Sequence, residues 1–547
     1  MIPPDSRPHD PASVIGKAPP IGEATDLLVI GAGPAGVSAA LAAAGRGVRI
    51  TLVDENPVPS SVMGEEVPLQ FGARMSAVVA NRNAMLEAVF EANPQLAEAL
   101  ERGIDVRLGT AVWGLFPQRR TTRWIGGHVA GLADAQRAYL LGFKQVIVAC
   151  GRRDMGLAFQ GWERPGVMGA SAAYRLAKTY GALDARTAVL LGAGTEALQI
   201  ADALAAQGVR IAAVIEQAEA AGGPARLLAR LTGRGTRVLT GRVIREASGD
   251  ARGVTAVKVA AVDGLGRDTG RALETLECDT VLLGVGAVAA IELIEASGCA
   301  VGFQPQRGGH VPVLDASQRT SLPYVYAAGD CAGIWASKTL SEAVACREGA
   351  IAARAALEAL GVRGEGEPEE PPVPDWPPRD VALERLAWVR ASVLRAPGRP
   401  WVCPCEQVTC DDILSLRPPR YLGGQREAAE TYGLGSAAPA AVPDPDMVKR
   451  LTRAGMGPCQ GRRCREQIAA LLALAADRPL ADVPLATYRP PVRPLRLDQL
   501  AQLPESPAMA EHWDSWFGMA TQWVPFWRVP SSYTVATRCT GEPGAGE

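Results

Sequence analysis

The sequence has little histidine and no excess of either charge. Only 4 histidines occur among 547 residues, at positions His9, His128, His310 and His512, so few side chains can exchange protons near neutral pH. The 56 lysines and arginines nearly balance the 58 aspartates and glutamates, which leaves a net charge of -2. This balance gives no electrostatic reason to expect nucleic acid or an anionic membrane as a partner. Composition thus offers no convincing site for substrate oxidation within this chain.

Cysteine is also scarce, and its arrangement excludes two classes of protein. The 11 cysteines are too few for a disulfide scaffold in a chain of this length, which indicates a reducing compartment such as the cytoplasm. The disulfide-reductase mechanism uses a pair of cysteines separated by four residues after the first strand–helix–strand unit. No such pair follows that unit here, which ends near Asp54, so this mechanism is excluded. Cys331 has no cationic or basic neighbour in sequence and is expected to be a packing residue.

Long apolar runs are nearly absent. Residues 1–24 are polar and proline-rich, lack the apolar stretch of a secretory signal and are expected to be a disordered lead-in. One uncharged run of 19 residues, from Leu27 to Gly45, is long enough for a membrane span. Its glycines divide it into a strand, a tight turn and a helix, so no transmembrane segment is predicted.

The chain does contain a dinucleotide-binding fingerprint. An apolar strand leads to Gly31, Gly33 and Gly36, and an alanine-rich helix and a second strand lead to the acids Asp54 and Glu55. The first glycine permits a tight turn, the second lets the backbone approach a pyrophosphate, and the third lets the helix pack closely. An acid at the end of the second strand can bind ribose hydroxyls. Together these features predict a bound dinucleotide cofactor.

The same pattern recurs in the segment TAVLLGAGTEALQ and the residues that follow it. Gly192, Gly194 and Ala197 occupy the three small-residue positions. When the two units are aligned on their first glycine, the acid Glu216 comes one residue later than Asp54. Three interpretations stay open: the second unit binds NAD(H), binds ATP or another adenine nucleotide, or is a structural relic that binds nothing.

Two tight cysteine pairs lie in the last third of the chain. They are Cys403 and Cys405 in one loop and Cys459 and Cys464 in another. Thiolates bind iron through soft sulfur donation, and two such pairs can enclose a 2Fe-2S cluster once the intervening chain folds back. Zinc is the alternative, although it commonly takes pairs separated by two residues. Cys410 is expected to pack rather than to bind.

Two further segments resemble the glutathione-reductase-like flavoproteins. The buried strand QVIVACG ends in Gly151, and TSLPYVYAAGDCAG places Gly329 and Asp330 after a later strand. In that family the first strand marks the crossover between the FAD and NAD domains, and the glycine–aspartate pair contacts the ribityl and phosphate part of FAD. The resemblance implies an α/β fold with two Rossmann-like dinucleotide-binding domains, a small helical four-cysteine iron–sulfur domain and an irregular C-terminal tail. The expected division is a lead-in (1–24), an FAD-binding domain (25–155 and 275–360), a second nucleotide-binding domain (156–274), a linker (361–398), a 2Fe-2S domain (399–475) and a partner-binding tail (476–547).

The motifs CPCEQVT and TRAGMGPCQGRRC and the domain order resemble the α subunits of heteromeric flavin-dependent amino-acid dehydrogenases and oxidases. That group includes D-hydroxyproline dehydrogenase, octopine and nopaline oxidases and hydrogen cyanide synthase. The resemblance implies FAD and a bacterioferritin-associated-ferredoxin-like 2Fe-2S domain in this chain, and a β subunit of D-amino-acid-oxidase fold that oxidises the C–N bond of an amino acid, opine or secondary amine. It leaves open an FMN at a subunit interface and a small iron–sulfur γ subunit. Electrons would pass to an acceptor such as a quinone, so peripheral contact with the inner membrane stays open for this cytoplasmic protein.

The chain departs from that group after the ribose acid, where DENPVPSSVMGEEVPLQ replaces the usual glycine-rich turn near the flavin. Two alternatives to an electron-transfer subunit stay open. One is an NAD(P)H-dependent flavin and iron–sulfur reductase that needs no partner. The other is a scaffold subunit whose nucleotide sites are structural.

Aromatic residues are dense near the C-terminus and show no clear helical or strand period. Such a cluster either covers the chain's own core or is buried against a partner, and we expect a partner. The residues are Trp513, Trp516, Phe517, Trp523, Phe526 and Trp527.

Overall fold

The computed structural model describes residues 21–57, 74–119, 122, 125–362, 370, 372–374, 380–419, 421 and 444–503. In chain order its strands are β1 (Glu23–Ile30), β2 (Ile50–Asp54), β3 (Asp105–Leu108), β4 (Ala111–Phe116), β5 (His128–Ala133), β6 (Ala138–Val148), β7 (Arg152–Asp154), β8 (Val167–Gly169), β9 (Thr187–Leu191), β10 (Arg210–Ile215), β11 (Arg237–Leu239), β12 (Arg242–Asp250), β13 (Gly253–Ala261), β14 (Glu274–Glu277), β15 (Thr280–Leu283), β16 (Ala287–Ala289), β17 (Val301–Gln304), β18 (Gly309–Pro312), β19 (Val325–Ala327), β20 (Trp401–Cys403) and β21 (Val408–Thr409). Its α-helices are α1 (Pro34–Ala43), α2 (Arg82–Ala92), α3 (Gln95–Glu101), α4 (Ala170–Lys178), α5 (Thr195–Ala206), α6 (Ala225–Gly233), α7 (Glu292–Ala296), α8 (Ala336–Leu340), α9 (Glu342–Ala359), α10 (Val381–Val389), α11 (Cys410–Leu414), α12 (Pro445–Thr452), α13 (Arg465–Ala475) and α14 (Leu497–Ala501).

The largest sheet contains the first dinucleotide unit. Its strand order is β3-β2-β1-β6-β5-β4, and β19 also pairs with β6. The strands β1, β2, β3, β6 and β19 are parallel, whereas β4 and β5 form an antiparallel extension. The residues from Leu27 to Ile30 are buried, as a parallel strand covered on both faces requires. The uncharged run that could have been a membrane span is therefore β1, a glycine turn and α1, as predicted.

A second sheet contains the repeated unit. Its order is β11-β10-β9-β15-β8, and all its strands are parallel. The sequence-based division ended the second domain at residue 274, which assigned β15 to the first domain. The structure corrects this boundary, because β15 pairs with β9 with Leu283 opposite Leu191. An apolar run such as TVLL fits either sheet, and only its hydrogen-bonding partners decide which sheet it joins.

The chain passes between the two sheets through a two-stranded ribbon. Strand β7 leaves the first sheet and β16 returns to it, and the two pair antiparallel with Arg153 opposite Val288. Strands β12, β13 and β14 form a separate antiparallel sheet after β11. The ribbon therefore lies at the junction of the two dinucleotide units.

The cysteine loops belong to a small, mostly helical region that packs on the rest of the chain. Strands β20 and β21 pair antiparallel, and α13 is buried from Arg465 to Ala473. Its Leu471 belongs to the same buried apolar cluster as Val189 of the second sheet. The second half of the predicted linker is helix α10, whose Trp388 is buried in this cluster as well. The cysteine region is thus part of one folded body, and its exact limits stay predictions.

Parts of the sequence-based predictions fall on residues that the structure does not describe. Most of the lead-in, the segment 58–73 after the ribose acid and the aromatic cluster near the C-terminus lie outside the described residues. Within the predicted tail, Leu480, Val483, Tyr488 and Val492 are buried, so its first part packs on the chain itself. None of the described helices combines the length and apolarity needed to cross a membrane. The predicted α/β class with Rossmann-type dinucleotide-binding units is confirmed.

Candidate functional site

The first glycine turn joins β1 to α1. Gly31 has a φ of 106°, and a Cβ there would lie 2.2 Å from the carbonyl oxygen of Ala149. A Cβ on Gly36 would lie 1.8 Å from the carbonyl oxygen of Gly31, whereas a Cβ on Gly33 would have no atom within 4 Å. The fold itself thus requires two of these glycines. Gly33 instead keeps space open before the N-terminus of α1, where the helix dipole and free N–H groups favour a phosphate.

The acid at the end of β2 contacts this turn. The Asp54 carboxylate accepts hydrogen bonds from the backbone N–H of Ala32 at 2.6 Å and of Asn56 at 2.7 Å. These bonds hold it where ribose hydroxyls lie in dinucleotide-binding folds. The neighbouring Glu55 instead pairs with Arg493, 438 residues later. Its predicted cofactor contact stays a prediction.

A buried ion pair holds the backbone of Gly329. The Gly329 N–H donates to Glu348 Oε2 at 2.8 Å, and Lys338 Nζ donates to the Gly329 carbonyl at 3.1 Å. Lys338 and Glu348 also pair at 2.8 Å, with side chains 0% and 1% exposed. Burial lowers the pKa of Lys338 and raises the pKa of Glu348, and their attraction opposes both shifts. Sequence reasoning missed this pair, because both residues read as ordinary helix-surface charges.

Asp330 faces an arginine that also reaches the second unit. The Asp330 Oδ2 lies 3.3 Å from Arg152 Nε. Arg152 follows Gly151, whose φ of 73° lets the chain turn out of β6. The same guanidinium pairs with Glu196 in the first turn of α5. One side chain therefore connects the two dinucleotide units, a role that the sequence analysis did not assign.

The second glycine turn reproduces the first. Gly192 has a φ of 103°, and a Cβ there would lie 2.3 Å from the carbonyl oxygen of Gly284. Gly194 is the N-cap residue of α5, and Ala197 is buried in the first turns of that helix. The backbone geometry of a phosphate-binding turn is thus present twice.

Glu216 makes the same kind of hydrogen bonds as Asp54. Its carboxylate accepts from the backbone N–H of Ala193 at 2.9 Å and of Ala218 at 3.1 Å. The register between β9 and β10 shifts after Ile211, which is a β-bulge that takes up one extra residue. The acid that the sequence places one residue late therefore occupies the structural position of Asp54.

A cleft opens between the second turn and helix α10. Gly194, Glu216, Arg385 and Trp388 are among the residues that line it. The buried Arg385 donates to the carbonyl oxygen of Gly308 at 2.7 Å. The sequence analysis missed α10 as one wall of this cleft, because the proline-rich stretch before it indicated a linker. The apolar period within ALERLAWV was the available signal.

The four cysteines come together in two hydrogen-bonded pairs. The Cys405 thiol hydrogen-bonds to Cys459, which lowers the pKa of Cys459 to about 5 and raises that of Cys405. The Cys464 thiol hydrogen-bonds to Cys403 and lowers the pKa of Cys403, whose sulfur also accepts from the Gly455 N–H at 3.4 Å. Each pair joins one cysteine of the first loop to one of the second.

The backbone around these thiols is unusual. Gln407 and Gln460 are non-glycine residues with φ of 53° and 52°, a conformation that persists where the surrounding structure enforces it and that clusters at functional sites. A Cβ on Gly457 would lie 2.3 Å from the Cβ of Cys405. Among the described residues, no group of three or more histidine, cysteine, aspartate or glutamate side chains is arranged to hold a metal ion. The ligand role of the four cysteines therefore stays a prediction.

Buried charges join α13 to the dinucleotide units. Burial raises the pKa of Glu466, but Arg385, at 3.5 Å, and His310 outweigh it and hold that pKa at about 2. At 3.8 Å, the contact between His310 Nδ1 and Glu466 is electrostatic rather than a hydrogen bond. Glu295 has a weaker partner, Arg465 at 3.9 Å, and burial raises its pKa to about 7. The cysteine region thus contacts the dinucleotide units partly through Glu466 and Glu295, whose carboxyl groups have shifted pKa values.

Glu295→Gln is expected to raise the Tm at pH 8 by about 2–4 °C and to change it little at pH 5. The folded pKa of Glu295, about 7, lies above the ordinary value of 4.5. The stability that the protonated acid contributes is therefore complete below pH 4.5 and is lost as the pH rises to 7. Glutamine imitates the protonated acid at every pH. Thermal unfolding at both pH values measures the difference, and the exposed Glu277→Gln is the control. An equal effect of the two variants at pH 8 would contradict the shifted pKa.

Comparisons with known proteins agree with this architecture. A family model described as pyridine nucleotide-disulphide oxidoreductase matches residues 25–350, and one described as sarcosine oxidase A3 domain matches residues 433–503. An opine oxidase subunit of Agrobacterium tumefaciens is 30% identical over 498 residues, which cover 88% of this chain and 92% of that protein. Hydrogen cyanide synthase subunit HcnB of Pseudomonas aeruginosa is 29% identical over 469 residues, which cover 80% of this chain and 90% of that protein.

Among solved structures, L-proline dehydrogenase from P. horikoshii has a similar fold. Its TM-score is 0.55, and the match covers 88% of this chain and 80% of that one. The sequence identity is 18%, so this likeness concerns the fold alone.

Proposed function

Because the chain belongs to the pyridine nucleotide-disulphide oxidoreductase family and to the family of these opine oxidase subunits, we propose that it is the electron-transfer subunit of a heteromeric flavin-dependent dehydrogenase or oxidase. The chain is an FAD-dependent oxidoreductase. A partner subunit would oxidise the C–N bond of an amino acid, opine or related secondary amine. Electrons would then pass through FAD and a 2Fe-2S cluster in this chain to an acceptor such as a quinone.

The pairing of the four thiols beside a dinucleotide-binding body carries this proposal. A 2Fe-2S cluster takes two protein ligands on each iron, whereas structural zinc takes four ligands around a single point. Cys405 lies beside Cys459 and Cys403 beside Cys464, and Cys464 is close to all three of the others. The presence of a flavin fold in the same chain, and pairs that lack the two-residue separation common in zinc sites, favour iron–sulfur over zinc.

The residues of the first unit fit FAD. The open space at Gly33 admits a pyrophosphate, which the N–H groups at the start of α1 would bind. Asp54 would hold the ribose, and Asp330 would contact the ribityl and phosphate part. When bound, FAD exchanges two electrons and a 2Fe-2S cluster one, so together they supply the change from two-electron to one-electron transfer. The chain's own residues bind and orient these groups.

The described histidines support placing substrate oxidation in a partner. His128 stacks on Phe143, with ring centres 5.5 Å apart, and packs against the tilted ring of Tyr324 at 4.0 Å, and burial lowers its pKa. His310 lies in the charged cluster at α13. Both thus serve packing and ion pairing. We expect the partner to be a β subunit of D-amino-acid-oxidase fold. Further components of the complex would be an interfacial FMN and a small iron–sulfur γ subunit.

An anaerobic titration tests the proposal. The purified chain, alone and co-expressed with its partners, is titrated with candidate amino acids and opines while flavin absorbance and the EPR signal of the reduced cluster are followed. The subunit role requires that amines reduce both centres only when a partner is present. Iron and acid-labile sulfide in the purified chain test the cluster separately. Reduction of both centres by NADH in the isolated chain would refute the subunit role.

The second glycine turn favours one alternative function, an NAD(P)H-dependent reductase that needs no partner. Glu216 occupies the structural position of the ribose-binding acid and faces an open cleft. NADH or ATP could bind there through the same contacts. Rapid bleaching of the flavin by NADH would show that the second unit binds NADH as a hydride donor, because ATP cannot donate a hydride.

Glu216→Gln is expected to weaken nucleotide binding at the second unit by about tenfold or more, since hydrogen bonds to a charged group contribute about 1.5–3 kcal/mol. A carboxylate in this position also repels a 2′-phosphate, so NADPH should bind the unchanged chain more weakly than NADH. Isothermal titration calorimetry with NADH, NADPH and ATP measures both effects. The exposed Glu219→Gln, three residues further along the chain, is the matched control. Absence of binding of all three nucleotides to the unchanged chain would show that the second unit is a structural relic, and equal affinity of the two chains would show that Glu216 does not contact the nucleotide.

A further inference from the structure

Strand β7 carries two consecutive arginines that contact different parts of the molecule. Successive side chains of a strand point to opposite faces, and the contacts of Arg152 and Arg153 follow this rule. Their side chains are only 18% and 19% exposed. Both lie in the crossover ribbon between the two dinucleotide units.

Arg152 belongs to the cofactor face of the ribbon. It lies 3.3 Å from Asp330, pairs with Glu196 and donates from Nη1 to Thr339 Oγ1 at 3.2 Å. Asp330 is the predicted contact of the ribityl and phosphate part of FAD. This end of the strand is therefore fixed to the flavin side.

Arg153 belongs to the cysteine face. Its Nε donates to the carbonyl oxygen of Arg462 at 3.2 Å, and its Nη2 donates to the hydroxyl of Tyr488 at 3.2 Å. Its charge pairs with Glu292. Arg462 lies between the two cysteines of the second loop, so one guanidinium holds the backbone of that loop against the ribbon.

The chain beyond β7 continues along the cysteine region. A Cβ on Gly156 would lie 2.4 Å from the carbonyl oxygen of Arg463. The Ala158 N–H donates to Gln467 Oε1 at 2.7 Å, and the guanidinium of Arg463 lies 4.2 Å from the ring centre of Trp162. A continuous segment of about ten residues thus runs from the flavin side to the cysteine loops.

We propose that Arg153 is a positioning residue for electron transfer between the flavin and the cysteine-bound cluster, with Arg152 anchoring the flavin end of the same strand. This inference rests on the proposed function. In the step that it would serve, bound reduced FAD would lose one electron and the bound oxidised cluster would gain it. Reoxidation of the cluster by a quinone-class acceptor and a second such transfer would return FAD to its oxidised form, and the flavin protons would leave to water. Because transfer requires a fixed separation between the two centres, the residue that fixes the separation controls the rate.

The test is Arg153→Lys in the full chain loaded with FAD and iron–sulfur. Lysine keeps the positive charge beside Glu292 but lacks the planar fork that makes two directed bonds. Light pulses with deazaflavin as a one-electron donor reduce the flavin, and bleaching of the cluster is then followed. The rate at which electrons reach the cluster is expected to fall by about tenfold or more, because small misplacements of reacting groups slow a reaction by such factors. FAD content, iron content and both reduction potentials should not change.

The matched control is Arg245→Lys. Arg245 is more deeply buried, with a side chain 4% exposed, and it pairs with Asp268 away from the ribbon, so its variant should transfer electrons at the unchanged rate. A normal rate in Arg153→Lys, or an equal loss in both variants, overturns the inference. If the Arg153→Lys variant loses iron, Tyr488→Phe is tested in its place, because this variant removes one contact of Arg153 and leaves its ion pair with Glu292. A normal rate of electron transfer in Tyr488→Phe would also overturn the inference. The iron assay is made before any rate is measured. If the wild-type chain binds no iron, the proposed function is refuted, and this result is distinct from a failure of the inference about Arg153.

Discussion

Cys459→Ser is expected to leave FAD bound and to remove the iron–sulfur signal completely. The hydrogen bond with Cys405 lowers the pKa of the Cys459 thiol, and a cysteine binds iron as the thiolate. Loss of a supporting group alone costs about 10–100-fold in metal affinity, and loss of a ligand should cost more. Iron and sulfide assays, EPR of the dithionite-reduced chain and flavin absorbance measure the result. Electron delivery to a quinone should stop, whereas reduction of the flavin should continue.

The control for this experiment is Cys410→Ser. Cys410 lies at the start of α11, close to the first pair in sequence, and burial raises the pKa of its thiol to about 12. Burial and Asp411, and not any of the four paired thiols, set the environment of Cys410, so this variant should keep its full iron content. Iron retained in Cys459→Ser and lost in Cys410→Ser would show that the ligand assignment is wrong.

Gly33→Ala is expected to fold normally and to lose FAD. The backbone at Gly33 is extended, with φ of -74°, and a Cβ would meet no atom of the chain within 4 Å. The free protein therefore has no reason to reject alanine. The methyl group would instead occupy the space through which a pyrophosphate approaches the backbone. We expect the affinity for FAD to fall by about a hundredfold, in line with a lost set of charge-assisted hydrogen bonds. Flavin content and fluorescence titration of the apoprotein measure it.

Two further glycines make this test specific. Gly36→Ala should fail to fold, because its Cβ would lie 1.8 Å from the Gly31 carbonyl oxygen. Gly22→Ala also meets open space but lies outside the turn, so it should fold and bind FAD normally. Full flavin content in Gly33→Ala would mean that no dinucleotide phosphate lies at this turn.

The sequence was sufficient to predict the parts of the fold that depend on local chemistry. The glycine turns at Gly31 and Gly192 could be located because only glycine tolerates the backbone conformation and the close approach found there. The strands around them could be located because parallel strands buried on both faces are apolar throughout. The α/β class follows from these two signals, whereas the FAD-dependent oxidoreductase assignment came from the resemblance that QVIVACG and TSLPYVYAAGDCAG bear to known flavoproteins.

Features that depend on partners distant in sequence could not be predicted in the same way. The apparent displacement of Glu216 disappears because a bulge after Ile211 takes up one residue, and nothing in the local sequence marks that bulge. The pairing of Cys405 with Cys459 rather than with Cys403 is likewise set by how two loops meet. The role of Arg152 and Arg153 was missed because a charged dipeptide after a buried strand reads as the start of a surface loop.

The ion pair between Glu55 and Arg493 has a consequence for the order of events during synthesis. The two residues are 438 positions apart, so at about 5–20 residues per second a ribosome needs roughly 20–90 s to supply the second after the first. Throughout that interval the acid beside the ribose-binding position has no such counter-ion, and the C-terminal segment cannot yet cover the edge of the first dinucleotide unit. Insertion of the cofactor is therefore expected to be completed only after translation has passed Arg493, and nascent chains arrested before that point should hold FAD more weakly than released ones.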